Sequence, residues 1–293
     1  MTKFVKLSNG IDMPIIGLGT FKVRGVDVLR PTLETAIAAG YRSIDTASVY
    51  RNEADIGLLL KELLPRHELE RREIFITSKL GPKDHGKGRC RDACLGSLEK
   101  LGLSDIDLYL IHWPGTQGHA PGDAGNPTRR LESWRDMEQL YKQGKCRAIG
   151  VSNYTERHLT ELLDQCEIAP HVLQTEYHPH LVRPGLLSLC QQHNILLQAY
   201  SSLGTTVSPE QKNKLLHDET VLSVSKEVNR SPALVLLRWA VQQSIGVIPK
   251  STNLEHIRSN LEVFDFKLTN GQMDKLTSLD QQHHYCWNSE TVL

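Results

Sequence analysis

Four side chains in the first 112 residues form an acid–base set. Asp45 and Tyr50 lie in the run DTASVY, Lys79 in ITSKL and His112 in LIHWP, each at the end of a short apolar, β-branched run. A phenol with an ordinary pKa of about 10 is a poor acid at neutral pH. A neighbouring ammonium favours the phenolate, and a carboxylate holds that ammonium in place. Lys79 is therefore expected to depress the Tyr50 pKa while Asp45 secures Lys79. An imidazole beside the phenol, here His112, can orient a carbonyl oxygen or share the proton. The set suits protonation of a developing alkoxide. Taken singly, each residue reads as a loop cap, a solvated charge or a packed ring; only their joint occurrence on three neighbouring strand ends carries the chemistry.

Such a set needs a scaffold that brings successive strand ends together. Strand candidates recur eight times, at Ile15–Leu18, Ser43–Asp45, Ile74–Ser78, Leu108–Ile111, Ala148–Val151, Val172–Glu176, Leu196–Ala199 and Gly246–Ile248. Continuous apolar runs such as IFITS and LYLI read as parallel strands covered on both faces. Between them lie helical spacings, as in LRPTLETAIAAG, NEADIGLLLKELL and LESWRDMEQLYKQG, with Gly40, Gly102 and Gly144 as stops and Asn52 and Thr155 as starts. Strict alternation implies right-handed βαβ crossovers, and eight repeats favour a closed (β/α)8 TIM barrel over an open sheet. At 293 residues the chain fits one such domain, spanning residues 1–293.

VKLSNGIDMP precedes the first strand and reads as a β-hairpin that plugs the barrel bottom, its Asn9-Gly10 pair suited to a type I′ turn. The Gly/Pro-rich stretch Pro114–Arg130 reads as a loop over the top, and the tail from Asp280 as a strap across it. In a barrel of this kind the site lies at the C-terminal strand ends. The later strands end in further polar groups: Ser152 and Asn153, Gln174 and Glu176, Tyr200, and Lys250.

Composition narrows the alternatives. The 34 basic and 34 acidic residues balance, which gives no footprint for nucleic acid or an anionic membrane, and no apolar run reaches the roughly 20 residues of a membrane span. The N-terminal sequence has neither a signal core nor a transit pattern, so a cytoplasmic location is the default. Six scattered cysteines are expected as free thiols. Cys90 and Cys94 share a helix face, but no flanking ligands complete a zinc site.

With these residues in place, the sequence resembles the aldo-keto reductase superfamily, the aldose and aldehyde reductases in particular, from about Val5 to Asp280. The matching runs are GLGT at Gly17–Thr20, GYRSIDTASVY at Gly40–Tyr50, SKL at Ser78–Leu80, DLYLIHWP at Asp107–Pro114, GVSNY at Gly150–Tyr154 and IPKST at Ile248–Thr252, all in order. The resemblance implies an NADPH-dependent oxidoreductase that reduces aldehydes and ketones to alcohols, acting as a monomer. Asp45, Tyr50, Lys79 and His112 match the catalytic tetrad, with Tyr50 the proton donor. NADPH or NADP+ would lie over the barrel mouth, with NADH a weaker alternative; consistently, no G-x-G-x-x-G fingerprint follows any strand. Ser152, Asn153 and Gln174 match the positions that hold the carboxamide, and Tyr200 the ring that stacks on the nicotinamide. Gly19, Thr20, Ser201 and Leu203 match positions along the ribose and pyrophosphate. Lys250, Ser251 and Thr252 fall at the 2′-phosphate and Asn260 at the adenine.

One position departs from the pattern. Where the family often has an arginine on the 2′-phosphate, this chain has His256, with Arg258 two residues on. An imidazole, mostly neutral at pH 7, is a poorer phosphate partner than a guanidinium fork, so discrimination against NADH is expected to be weakened.

Phe21, Val49, Trp113 and His112 are the expected substrate contacts, with Gly81 widening one wall and Tyr285 and Trp287 added from the tail. An aromatic mouth suits aldehydes, ketones and small dicarbonyls better than free sugars. Two rival readings are a cofactor-binding regulatory subunit of the same family, which would lack part of the tetrad, and a metal-dependent barrel hydrolase built on histidines such as His178 and His180. The filled tetrad argues against the first, and the lack of an H-x-H at the first strand against the second.

Overall fold

The structure, a computed structural model, describes residues 3–205 and 213–293. Eight parallel strands succeed one another in chain order. After the hairpin strands β1 (Phe4–Lys6) and β2 (Asp12–Pro14) come β3 (Leu18–Gly19), β4 (Ser43–Asp45), β5 (Phe75–Leu80), β6 (Ile106–Ile111), β7 (Cys146–Ser152), β8 (Val172–Glu176), β9 (Leu196–Tyr200) and β10 (Gly246–Val247). The two edges of this sheet meet. Gly17 donates its amide to the Val247 carbonyl at 2.9 Å, and Val247 to that of Ile15 at 2.8 Å, which closes a (β/α)8 barrel.

Helices α1 (Val26–Ala39), α2 (Glu53–Arg66), α3 (Arg89–Leu101), α4 (Asn126–Lys142), α5 (Glu156–Leu163) and α6 (Pro184–Gln192) fill the first six crossovers. The seventh carries both α7 (Glu219–Val228) and α8 (Pro232–Gln242), and α9 (Leu254–Ser259) and α10 (Asn270–Thr277) follow the last strand. Among the described residues no helix is long and apolar enough to cross a membrane.

Alternation along the strands builds two cores. Leu108 and Leu110 of β6 point inward, with Phe75, Ala148 and Val172, while Tyr109 and Ile111 face the helix layer. The hairpin closes the lower end of the interior core, with Met13 fully buried and Leu7 nearly so. The hairpin is as expected, but its turn is not. Ser8, Asn9 and Gly10 form a three-residue loop in which Gly10 donates to the Leu7 carbonyl, and only Gly10 takes a left-handed φ, of 85°. That is a type I turn followed by a bulge rather than the type I′ pair. Asn9 is held instead by the barrel: its amide donates to the Arg147 carbonyl at 3.0 Å.

The expected helix stops and starts hold at several positions and differ at others. Gly40 and Gly102 end α1 and α3 with left-handed φ, and Thr155 caps α5 through the His158 amide. Asn52 stands at the start of α2 without capping it, because its side chain is used elsewhere. The Pro114–Arg130 stretch is shorter as a loop than expected: α4 begins at Asn126, with Pro127 in its first turn. All six cysteines are free.

Candidate active site

In-register parallel pairing aims the first catalytic candidates at one point. Asp45 pairs with Thr77, and Lys79 two residues on faces the same side, into the barrel mouth. Lys79 Nζ lies 2.5 Å from Asp45 Oδ1, 2.9 Å from the Thr46 carbonyl and 3.4 Å from Tyr50 Oη. The ion pair is sealed, with side-chain exposures of 0% and 3%. The second oxygen of Asp45 accepts from Gln174 Nε2 at 2.8 Å, across the barrel. Tyr50 ends the 3-10 turn Ser48–Tyr50, and Arg24 Nε donates to its carbonyl at 2.8 Å. The His112 ring meets Tyr50 edge-on with centroids 5.6 Å apart.

Asn52 is the hub behind this cluster. It accepts the Thr46 hydroxyl at 2.6 Å and donates to the carbonyls of Thr20 and Val23, at 3.2 and 2.9 Å. The loop after β3 is thereby locked to the DTASVY segment. His112 is fastened on both sides: its amide donates to the Leu80 carbonyl, and its carbonyl accepts from Asn153 Nδ2 at 2.9 Å. Asn153, itself left-handed at φ 63°, also accepts the Tyr200 hydroxyl at 2.7 Å.

Burial dominates the electrostatics of the cluster. Burial pushes the Tyr50 phenol well above its ordinary value, and the Asp45 carboxylate and Cys286 add to the push. Burial also lowers Lys79, against the pull of Asp45. The net direction is upward because desolvation outweighs the pull of the Lys79 ammonium, which is itself paired to Asp45 at 2.5 Å. The phenol holds its proton firmly. Burial and the Lys79 charge push His112 down to about 3, so its ring is neutral.

Above the cluster opens a cleft of about 540 Å³. Of the expected cofactor and substrate residues, Gly19, Phe21, Val49, Ser152, Asn153, Gln174, Tyr200, Ser201, Leu203 and Lys250 line it, beside Asp45, Tyr50 and His112. Thr20 does not: it is fully buried, and its hydroxyl donates to the Asp45 carbonyl at 2.8 Å. Trp113 lines a second hollow of about 490 Å³, which shares Val49, His112, Asn153 and Trp287 with the first. Ser251, Thr252 and His256 sit beyond the cleft around the start of α9, where Asn253 caps the helix by accepting the Glu255 and His256 amides. Asn260 is buried at the start of the following 3-10 turn, also off the cleft. Tyr285 faces away, toward His178 and His180.

The cleft also holds residues that the sequence reading passed over, among them Lys22, Ser202, Asn213 and Cys286. Lys22, in the GTFK run, was the easiest to find; its φ of 62° turns the chain beside Phe21. Among the described residues no three His, Cys, Asp or Glu side chains converge to hold a metal ion.

The free valences suit a carboxamide-bearing ring. Gln174 commits its amide hydrogens to Asp45 and Gln198, at 2.8 Å each, which leaves Oε1 as an acceptor. Ser152 accepts from Asn153 at 3.1 Å and keeps its own hydroxyl proton to donate. One acceptor and one donor side by side match the two ends of a primary amide.

Comparison with known proteins agrees with this geometry. The model of the aldo/keto reductase family matches residues 15–281. A glyoxal reductase of Bacillus subtilis is 40% identical over 289 residues, 99% of this chain and 97% of that protein. Among solved structures, an aldo-keto reductase from a Medee basin deep-sea metagenome library superposes with a TM-score of 0.87 at 37% identity, covering 98% of each chain. A Bombyx mori aldo-keto reductase in complex with NADP gives 0.90 at 32% identity, covering 99% of this chain and 96% of its own. On the strength of that match along nearly the whole barrel, this chain belongs to the aldo/keto reductase family.

Proposed function

We propose that the protein is an NADPH-dependent carbonyl reductase in which Tyr50 delivers the proton. The observation that carries the proposal is the buried line Asp45–Lys79–Tyr50, with Lys79 Nζ 3.4 Å from the phenol oxygen at the floor of the cleft. NADPH supplies the hydride when bound. Ser152 and Gln174 would hold its carboxamide by the donor and acceptor described above, with Tyr200 lining the same part of the cleft. Lys250 lies where the cleft runs toward α9 and would attract the phosphate end.

Tyr50 keeps its proton while the substrate is a neutral carbonyl, because burial holds the phenol far above neutrality. As negative charge grows on the substrate oxygen, the acceptor becomes the stronger base and the proton moves. Lys79 then faces a forming phenolate at hydrogen-bonding range, and that is where its charge is useful. His112, neutral and edge-on to Tyr50, orients the carbonyl oxygen without competing for the proton. Phe21, Val49, Trp113 and Trp287 surround the entrance with apolar surface, which favours small reactive aldehydes and dicarbonyls over free sugars. The likeness to a glyoxal reductase supports that substrate class.

Tyr50→Phe is the test. It removes one oxygen and keeps the ring against Phe21 and His112. Carbonyl-dependent NADPH oxidation, followed at the nicotinamide absorbance band, is expected to fall by about 10² to 10⁴. The NADPH dissociation constant, from protein fluorescence quenching, should stay within about twofold. Retained turnover would sink the assignment.

A further inference from the structure

The chain after Asp280 crosses the barrel mouth. It is anchored at its start by the Gln281 and His283 amides on the His180 carbonyl, and at its end by the Val292 carbonyl on His158 and the Leu293 amide on the Pro121 carbonyl. Between these anchors two further fastenings flank the cleft. Glu176, the last residue of β8, is buried and takes no part in the chemistry above. It accepts the amides of two consecutive tail residues, Tyr285 at 2.8 Å on Oε1 and Cys286 at 3.2 Å on Oε2. His178 Nε2 lies 3.1 Å from Oε1, and His284 Nδ1 3.5 Å from Oε2. Tyr285 is held in turn, its hydroxyl 2.8 Å from His180 Nδ1. At the second point the Ser289 hydroxyl donates to the Asn153 carbonyl at 2.6 Å.

Between the two fastenings lie Cys286 and Trp287. The cysteine lines the cleft with Sγ 3.2 Å from Ser201 Oγ. The tryptophan is 62% exposed, stands edge-on to Phe21 at 6.0 Å and borders both hollows. An exposed indole has little packing of its own to fix it, so the backbone on either side must do so. Burial alone would push the Glu176 carboxyl up. The His178 hydrogen bond and the two tail amides hold it below its ordinary value, so it is an anion at neutral pH. Hydrogen bonds to a charged group are roughly twice as strong as neutral ones.

We infer that Glu176 is a positioning residue: by clamping the Tyr285–Cys286 backbone it holds Trp287 as the wall between the two hollows, and so sets the acceptance of bulky aromatic carbonyls. The inference rests on the carbonyl-reductase reading of the cleft. Small dicarbonyls that fit beside Tyr50 and His112 without touching the indole do not depend on the clamp.

Glu176→Gln tests it, since an amide nitrogen must then face one of the two tail N–H groups. With the clamp opened, labelling of Cys286 by N-ethylmaleimide, read by peptide mapping, should accelerate at least about tenfold, the equivalent of one lost charge-assisted bond. The KM for 2-naphthaldehyde should rise by about as much, with kcat, the methylglyoxal KM and the NADPH dissociation constant each within about twofold. Trp287→Ala should reproduce the naphthaldehyde effect with Glu176 intact, which covers the case of a poorly folding Gln variant. A folded Glu176→Gln protein with unchanged Cys286 labelling overturns the clamp. Faster labelling with an unchanged naphthaldehyde KM overturns the wall. If none of the carbonyls makes the parent protein oxidise NADPH, the cleft reading fails, while the labelling comparison still decides the clamp.

Discussion

Replacing Asp45 by Asn isolates the interaction on which the site depends. The change is isosteric, but its single amide oxygen can accept from Lys79 or from Gln174 and not both, and it leaves the Lys79 ammonium fully buried without its paired carboxylate. Breaking a buried pair from one side costs about 3–5 kcal/mol. An independent bound comes from the alternative open to the lysine, which is to shed its proton. From its ordinary 10.5, doing so at pH 7 costs about 5 kcal/mol, so the loss cannot be much greater. Urea unfolding of the parent, Asp45→Asn, Lys79→Met and the double variant at pH 7.5 measures the term. A loss of 3–5 kcal/mol is expected for Asp45→Asn, with a coupling of at least about 2 kcal/mol in the cycle, because the double variant buries no lone charge.

The pH dependence has a definite sign. The folded variant holds Lys79 at a lower pKa than the unfolded chain does, so the unfolded state binds more protons and stability rises with pH. The gap to the parent should therefore narrow above neutrality, as the parent keeps its proton longer. Turnover should fall along with stability, since a neutral amine cannot support a phenolate. A loss below about 1 kcal/mol, or additivity in the cycle, would refute the reasoning.

Three further outcomes follow from particular residues. His256→Arg should lower the NADPH KM with kcat unchanged, read by initial rates at saturating carbonyl; an equal or weaker NADPH affinity would show that the α9 end of the site does not reach the 2′-phosphate. Because His112 is pushed down to about 3, kcat for reduction should show no ionisation near the ordinary histidine value between pH 5.5 and 8, and a bell limb centred near 6.5 would contradict a neutral, orienting ring. Gly57→Ala should destabilise by about 1–3 kcal/mol in urea unfolding, because an added Cβ would stand 2.4 Å from the Leu101 carbonyl where α2 crosses α3; the folded fraction should keep its specific activity, since neither helix reaches the cleft.

Much of the barrel was legible because strand and helix periods are local. Ser43–Asp45 and Val172–Glu176 begin and end where their apolar runs do, and six other strands lie within two residues of the expectation or overlap it. The polar groups at the strand ends were legible for the same reason: Asp45, Lys79, His112 and Gln174 each close a run of apolar or β-branched residues, and barrel geometry turns sequence order into neighbourhood. The turn at Asn9-Gly10 misled because the dipeptide suits two turns, and the choice fell to Asn9's long-range bond to Arg147. Asn52 misled similarly, as a residue able to cap a helix that instead ties Thr20, Val23 and Thr46 together.

The sequence by itself determined which polar groups stand at the strand ends and their order around the barrel, since both follow from periodicity and strand succession. Tertiary structure alone decided how those groups behave. Whether Tyr50 sits above or below its ordinary pKa depends on the sum of desolvation and charge from several strands at once, and no local pattern encodes that sum. The path of the tail is of the same kind: Glu176 and Tyr285 are 109 residues apart, and only the closed barrel brings the carboxylate under the amide it holds.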